Sequence, residues 1–170
     1  MRALRLLSRK CFAFFVIAGF FYIARSPIFS AVDLTPEQEI TAAKELLDKY
    51  IQAFQMRNLA LASEVYAHDS DLIVYGSSPS DRRLGWAETE EYLRKYFAAV
   101  DRIEIALQER SIKFHKSGDV SWFAQVLRWT ETEKGKTYTM EGLRITGVLE
   151  KRDRGWVIVQ LHASGPPPTS

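Results

Sequence analysis

The stretch YTMEGLRITGVLEKRDRGWVIVQLHASGP, residues 138–166, decides the fold. It predicts two long strands joined by a tight charged turn at residues 151–155. Successive side chains of a strand point to opposite faces of the sheet. The alternation predicts two faces for the second strand, one with Val157, Val159, Leu161 and Ala163 and the other with Trp156, Ile158, Gln160 and His162.

Both strands of this hairpin carry apolar side chains on both faces. The first strand has Leu143, Ile145, Gly147 and Leu149 on one face and Arg144, Thr146, Val148 and Glu150 on the other. An antiparallel sheet with one face in water normally alternates cleanly between apolar and polar residues. We therefore expect both faces to be covered, one by helices of the same chain and the other by a loop or a second subunit.

Three short motifs of the hairpin resemble a known family. Arg-x-Thr-x-Val starts at Arg144, Gly155-Trp156 follows the charged turn, and His-x-Ser-x-Pro starts at His162. Together they resemble the SnoaL-like branch of the NTF2-like superfamily, over about residues 37–166. The hairpin is also similar to the association domain of calmodulin-dependent kinase.

This resemblance implies an α+β fold, the NTF2-like cone. In that fold a strongly curved, mostly antiparallel sheet holds about three N-terminal helices on its concave face. A pocket commonly opens between the helices and the sheet, and the other face of the sheet often forms a dimer.

The N-terminal residues predict export. Residues 1–31 hold five basic residues and no acidic residue, and residues 11–24 form an apolar stretch of 14 residues. A bilayer core needs about 20 residues as a helix. We therefore expect a signal peptide or a membrane anchor at 1–31, a domain at 32–166 and a tail at 167–170. In both cases the domain lies outside the cytoplasm, periplasmic or secreted, and its membrane contact is limited to residues 1–31.

The charge of the remaining chain argues against nucleic-acid binding. Five of the 23 Lys and Arg residues precede residue 32, which leaves 18 against 21 Asp and Glu residues. No element carries a run of basic residues, which binding to phosphates would favour. The single cysteine, Cys11, lies in the leader, so no disulfide is expected in the domain.

Capping and periodicity predict the other elements. Thr35 and Gln38 form a capping box for a helix that starts at Pro36 and ends near Arg57-Asn58. Further helices are expected at 59–66 and 86–100, with a loop at 76–85. Strands are expected at 72–75 and 120–132, and at 103–114 with a bulge near 108–111 where the apolar phase shifts.

The three histidines give little support for a metal site or a catalytic pair. His68, His115 and His162 show no metal-ligand spacing, so we predict neither a metal nor a cofactor. His162 and Ser164 could suggest nucleophilic catalysis, but no orienting carboxylate accompanies them. We expect His162 to be a buried, hydrogen-bonded histidine at an interface.

The outer face of the sheet predicts a homodimer. An apolar patch of this size is rarely exposed to solvent, and the pairing of identical faces in a two-fold dimer is the commonest way to bury such a patch. The predicted interface consists of Trp122, Val126, Val148, Trp156, Ile158 and His162.

The resemblance also implies positions for family chemistry. Tyr50 matches the tyrosine of NTF2-like ketosteroid isomerases, but their base and acid positions fall at Val74 and Gly147, which cannot move a proton. The arginine positions of the kinase association domain fall at Leu127, Gly147 and Ala163. The resemblance therefore supports neither the isomerase reaction nor anion binding of that kind.

The predicted pocket lining is apolar with one hydroxyl. It consists of Tyr50, Phe54, Val74, Leu127, Gly147, Leu161 and Ala163. This set fits either a filled core or a pocket for a small apolar molecule.

The favoured hypothesis is an exported, non-enzymatic homodimer that can bind a small hydrophobic ligand. The alternative is an enzyme of the same fold, of the dehydratase, cyclase or hydrolase type. It would use Tyr50 with an acid from Asp69, Asp71 or His162. A third hypothesis is an interaction module on a membrane anchor.

Overall fold

The computed structural model describes residues 34–78 and 80–166. The predicted signal peptide or anchor at 1–31 and the tail at 167–170 lie outside these residues. In the described part of the chain, no helix combines the length and the apolar character needed to cross a membrane. The helices are α1 (Pro36–Gln55), α2 (Leu59–Ser63) and α3 (Gly85–Ala99), and the strands are β1 (Ile73–Tyr75), β2 (Arg82–Leu84), β3 (Arg102–Phe114), β4 (Val120–Glu133), β5 (Lys136–Arg152) and β6 (Gly155–Ser164).

The strands form one sheet in the order β2-β1-β6-β5-β4-β3. Every neighbouring pair is antiparallel except β1 and β6, which run parallel. The predicted α+β fold, with a curved and mostly antiparallel sheet and about three helices, is confirmed.

Helix α1 begins at the predicted capping box. The Thr35 hydroxyl accepts a hydrogen bond from the Gln38 amide, and the Gln38 side chain accepts one from the Thr35 amide at 2.8 Å. The buried residues of α1 recur at helical spacing and face the sheet. They include Ala43, Leu46, Leu47, Tyr50, Ala53 and Phe54.

The connection after α1 differs in detail from the prediction. Arg57, with a φ of 50°, takes the left-handed conformation expected at Asn58. Asn58 is extended, and its side chain accepts a hydrogen bond from the Leu61 amide at 3.0 Å, so it caps α2. Helix α2 ends at Ser63, earlier than predicted, because Tyr66 forms an isolated bridge with Ile158 of β6.

The segment predicted as a loop at 76–85 contains strand β2. Its three residues pair with β1 in an antiparallel hairpin, with Val74 opposite Arg83. Arg83 is buried, with 8% of its surface exposed. A three-residue strand centred on a buried arginine carries no apolar alternation that sequence periodicity could detect.

The structure has a bulge in β3 at the predicted place. The pairing with β4 shifts between Leu107 and Glu109, so Gln108 is the extra residue. The shift brings both Ile105 and Ile112 onto the inner face despite their odd spacing.

Strand β6 also contains a bulge, and the predicted faces of this strand are wrong for the residues before it. Leu149 pairs with Ile158 and Val148 pairs with Gln160, which leaves Val159 as the extra residue. The side chains of the β6 residues before Val159 therefore lie on the opposite face of the sheet from the one predicted. Trp156 and Ile158, expected on the outer face and at the dimer interface, lie in the core with 5% and 0% of their surface exposed.

The other predicted interface residues do lie on the outer face. Trp122 is 45% exposed and pairs across the strands with Val148. Val126 and Val148 are half-buried, whereas His162, which was expected to be buried, is exposed. The bulge removes Trp156 and Ile158 from this face and adds Val157. The apolar outer patch is therefore smaller than predicted and is centred on Trp122.

Candidate functional site

A cavity of about 170 Å³ lies between the helices and the inner face of the sheet. Tyr75 and Ser77, which are the exposed residues of its lining, belong to the β1–β2 hairpin, so the cavity opens beside that hairpin. Other lining residues come from α1, α3 and the long strands. They include Tyr50, Phe54, Tyr66, Val74, Asp81, Arg83, Tyr92, Tyr96, Trp129, Glu131, Met140, Leu161 and Ala163.

Two predicted lining residues lie elsewhere in the interior. Leu127 is fully buried in the core. Gly147 lies against the ring of Phe123, and a Cβ at this glycine would sit 2.6 Å from the Phe123 ring and would also collide with the Gln160 carbonyl. Phe123 therefore occupies the space that an apolar pocket over Gly147 would need. The other five predicted residues, Tyr50, Phe54, Val74, Leu161 and Ala163, do line the cavity.

The lining is more polar than the sequence predicted. Instead of one hydroxyl it has five tyrosine hydroxyls, one from the exposed Tyr75 and four from the buried or half-buried Tyr50, Tyr66, Tyr92 and Tyr96. Burial raises the pKa of all four, and the Glu131 carboxylate raises that of Tyr96 further. These phenols therefore stay protonated near neutral pH, where they act as hydrogen-bond donors and acceptors.

Glu131 brings a carboxylate to the wall of the cavity. Its Oε2 atom accepts hydrogen bonds from the Tyr96 hydroxyl and from Trp129 Nε1, the latter at 3.2 Å. Both donors are neutral. Among residues 34–78 and 80–166, no Lys, Arg or His forms an ion pair with Glu131.

An arginine and an aspartate lie at the mouth of the cavity. Asp81 forms an ion pair with Arg83. The Arg83 guanidinium also lies over the ring of Tyr92, with 3.7 Å from its central carbon to the ring centroid. The ion pair and the cation–π contact compensate the burial of this arginine.

The sequence model of the SnoaL-like domain matches residues 43–169. The chain belongs to the SnoaL-like family. The predicted resemblance is therefore confirmed. No curated protein matches the chain.

Solved structures share the fold of this SnoaL-like chain at low sequence identity. An NTF2-like superfamily protein from Salmonella enterica superposes with a TM-score of 0.70 at 18% identity, over 80% of this chain and 96% of that one. A proposed scytalone dehydratase from Novosphingobium aromaticivorans gives 0.69 at 12% identity, over 78% and 87%. A proposed calcium/calmodulin-dependent protein kinase II association domain from Xanthomonas campestris gives 0.63 at 24% identity, over 81% and 93%.

The acids predicted to assist Tyr50 do not line the cavity of this SnoaL-like domain. Asp69 forms an ion pair with Arg152 at 2.8 Å, and Asp71 is also absent from the lining. His162 lies on the outer face against the ring of Tyr75, with 6.3 Å between ring centroids. The alternation of β4, with Leu127, Trp129 and Glu131 on one face, is the sequence signal that could have indicated the carboxylate of Glu131 instead.

Metal binding has no support from the described side chains of this SnoaL-like domain. In residues 34–78 and 80–166, no three or more His, Cys, Asp or Glu side chains come together in a way that could hold a metal ion. The functional groups of the cavity lining include aromatic rings, hydroxyl groups and two carboxylates.

Proposed function

We propose that this SnoaL-like domain binds a small organic molecule, about the size of one aromatic ring, in the cavity between the helices and the sheet. The volume of about 170 Å³ carries this proposal. An engineered protein cavity of about 150 Å³ binds benzene. Pockets for drug-sized molecules hold roughly 300 to 1,000 Å³, so the smaller volume here favours a ligand with a single ring.

The aromatic lining fits a ligand with an apolar body. Seven aromatic side chains line the space: Tyr50, Phe54, Tyr66, Tyr75, Tyr92, Tyr96 and Trp129. Aromatic rings offer large contact areas, and tyrosine adds a hydroxyl for a polar ligand atom. Ring contacts therefore supply most of the affinity, and the neutral hydroxyls orient the ligand.

The raised pKa values of the buried tyrosines favour binding over proton transfer. A general acid or base works best when its pKa lies near the working pH. Burial moves the pKa of Tyr50 away from that range, so its hydroxyl is a poor proton donor. Val74, at the position of the isomerase base, lines the cavity without any group that can accept a proton.

One observation supports a second function, the elimination of water. The Glu131 carboxylate lies in the cavity wall, and proposed dehydratases are among the similar structures. Glu131 would take a proton from carbon while a tyrosine hydroxyl protonates the leaving hydroxide, giving a double bond and water. The proton on Glu131 would then return to the tyrosinate. Incubation with a cyclic β-hydroxy ketone, followed by mass spectrometry, tests this function. Loss of water that depends on Glu131 would support it.

Calorimetry with three single-ring probes tests the binding proposal. Benzyl alcohol, benzylamine and benzoate share one ring and differ in charge. We expect at least one to bind the wild-type chain and to lose affinity in Ala163→Leu, which fills the cavity. Ala124→Leu, on the outer face of β4, is the matched control and should bind normally. Absence of binding by all three probes would contradict the proposal.

We also propose that the domain forms a homodimer through the outer face of the sheet. The exposed Trp122 and the neighbouring valines Val126, Val148 and Val157 support this arrangement, because an apolar patch around an exposed tryptophan gains from burial. A second copy of the same face offers the same residues, as a two-fold interface requires.

Export is the third part of the proposal, and it is supported by the basic and apolar pattern of residues 1–31. Cell fractionation with N-terminal sequencing of the native protein tests it. Recovery outside the cytoplasm is expected, with or without residues 1–31. Recovery of the intact chain from the cytoplasm would contradict it.

A further inference from the structure

We infer that the ligand of the cavity is a small organic cation, such as a protonated or substituted ammonium ion with an apolar body. This inference rests on the proposed binding function and specifies the charge of the ligand. Three features of the described lining support it: an ionically unpaired carboxylate, a cancelled arginine charge and a surrounding set of aromatic rings.

The carboxylate of Glu131 is the first feature. Within residues 34–78 and 80–166, only the neutral Tyr96 hydroxyl and Trp129 Nε1 donate to it, and both donate to the same oxygen, Oε2. Among the described residues, the other oxygen, Oε1, has no hydrogen-bond partner. A partly buried carboxylate is normally paired with a positive charge, because removal from water is costly for an unpaired ion. A ligand cation would supply the missing charge.

The charge balance of the lining is the second feature. Asp81 and Arg83 are the other charged residues of the lining, and they form an ion pair with each other. Their charges cancel, so the negative charge of Glu131 remains. This balance opposes an anionic ligand and favours a cationic one.

The aromatic rings are the third feature. Tyr92 and Tyr96 are stacked with 5.7 Å between centroids, and Phe54 meets Trp129 edge to face at 5.3 Å. A cation near the face of a Tyr or Trp ring is attracted by the ring quadrupole, and cages of such rings recognise methylated ammonium groups. Arg83 already makes this contact with Tyr92, which shows that rings of the lining can accept a cation.

The relative affinities of the three probes test the inference directly. Benzylamine should bind about tenfold tighter than benzyl alcohol, since one cation–π or ion-pair contact in a partly dry site supplies that much. Benzoate should bind most weakly. Glu131→Gln should remove the difference between benzylamine and benzyl alcohol without weakening benzyl alcohol, whose binding also shows that the variant is folded.

Glu133→Gln is the matched control. Glu133 lies on the same strand, pairs with Lys134 at 3.1 Å and is not part of the lining, so its replacement should preserve the preference for benzylamine. Equal binding of benzyl alcohol and benzylamine by the wild-type chain would overturn the inference while the binding function stands. A preference that survives in Glu131→Gln would also overturn it. Absence of binding by all three probes would overturn the binding function itself.

Discussion

Trp156 Nε1 donates a hydrogen bond to Glu39 Oε2 at 2.8 Å, across 117 positions of sequence. The other oxygen of Glu39 accepts from the Lys151 ammonium. The carboxylate is buried, with 9% of the residue exposed, and it ties the first turn of α1 to the β5–β6 hairpin. This contact holds the helix that carries Tyr50 against the sheet that carries the opposite wall of the cavity.

Removal of this carboxylate should destabilise the domain. Glu39→Ala leaves the Trp156 indole and the Lys151 ammonium without their acceptor, so we expect the free energy of unfolding to fall by roughly 2 to 3 kcal/mol. Glu37→Ala removes an acid from the same helical turn and should cost only about 0.5 kcal/mol. Urea unfolding of both variants measures the difference, and equal costs would contradict this role for Glu39.

The contact between Gly147 and Phe123 predicts a second loss of stability. A methyl group at Gly147 would overlap the Phe123 ring and the Gln160 carbonyl, and overpacking of this kind costs about 1 to 3 kcal/mol. Thr146→Ala, on the outer face beside it, should change stability by less than about 0.5 kcal/mol. Thermal unfolding compares the two. A Gly147→Ala variant as stable as wild type would show that the interior has free space there.

The buried tyrosines predict a loss of stability in alkaline solution. Burial raises the pKa of Tyr50 and Tyr66 in the folded chain above the value of about 10 that tyrosine has when unfolded. The unfolded chain therefore releases these protons first. Their contribution is fully present below about pH 10 and is lost as the pH rises towards the folded values.

Urea unfolding at a series of alkaline pH values measures this effect. Tyr50→Phe should reduce the fall in unfolding free energy by up to about 1.4 kcal/mol per pH unit, because each tyrosine contributes one proton. The comparison with wild type cancels the contribution of lysines, which titrate in the same range. Identical slopes for the two proteins would contradict the burial of an un-ionised Tyr50.

The outer face predicts a change of oligomeric state on substitution of Trp122. Trp122→Lys should convert the proposed dimer into a monomer, because a charge at the centre of an apolar interface must be desolvated. Met56→Lys is the control, since Met56 is 58% exposed at the end of α1 and does not belong to the sheet. Sedimentation equilibrium measures both variants. A wild-type domain that remains monomeric at high concentration would contradict the dimer.

The sequence predicted the long elements well because their signals are local. The capping box at Thr35 and Gln38 and the phase shift near Gln108 both correspond to features of the structure. The bulge at Val159 has no such signal, because the residues on both of its sides are apolar and either phase looks plausible. The buried Trp156 donates a hydrogen bond to Glu39, 117 positions away, and local sequence patterns do not indicate such a distant partner.

The site was harder to predict because its polar residues meet through tertiary contacts. Tyr96 lies on α3 and Glu131 on β4, 35 positions apart, and Arg83 belongs to a strand of three residues. Sequence alternation indicated an interior position for Leu161, and the family resemblance indicated one for Val74; both are apolar and buried. Neither signal indicated that five tyrosines and two carboxylates share the same cavity.

The two described methionines allow the most direct test of the ligand site. Met140 lines the cavity, whereas Met56 is exposed at the end of α1. In a protein with ¹³C-labelled methionine methyl groups, benzylamine should shift the Met140 signal through the ring current and leave the Met56 signal in place. A Met140 signal that stays unchanged at saturating benzylamine, or that moves only as much as Met56, would contradict a ligand site in this cavity.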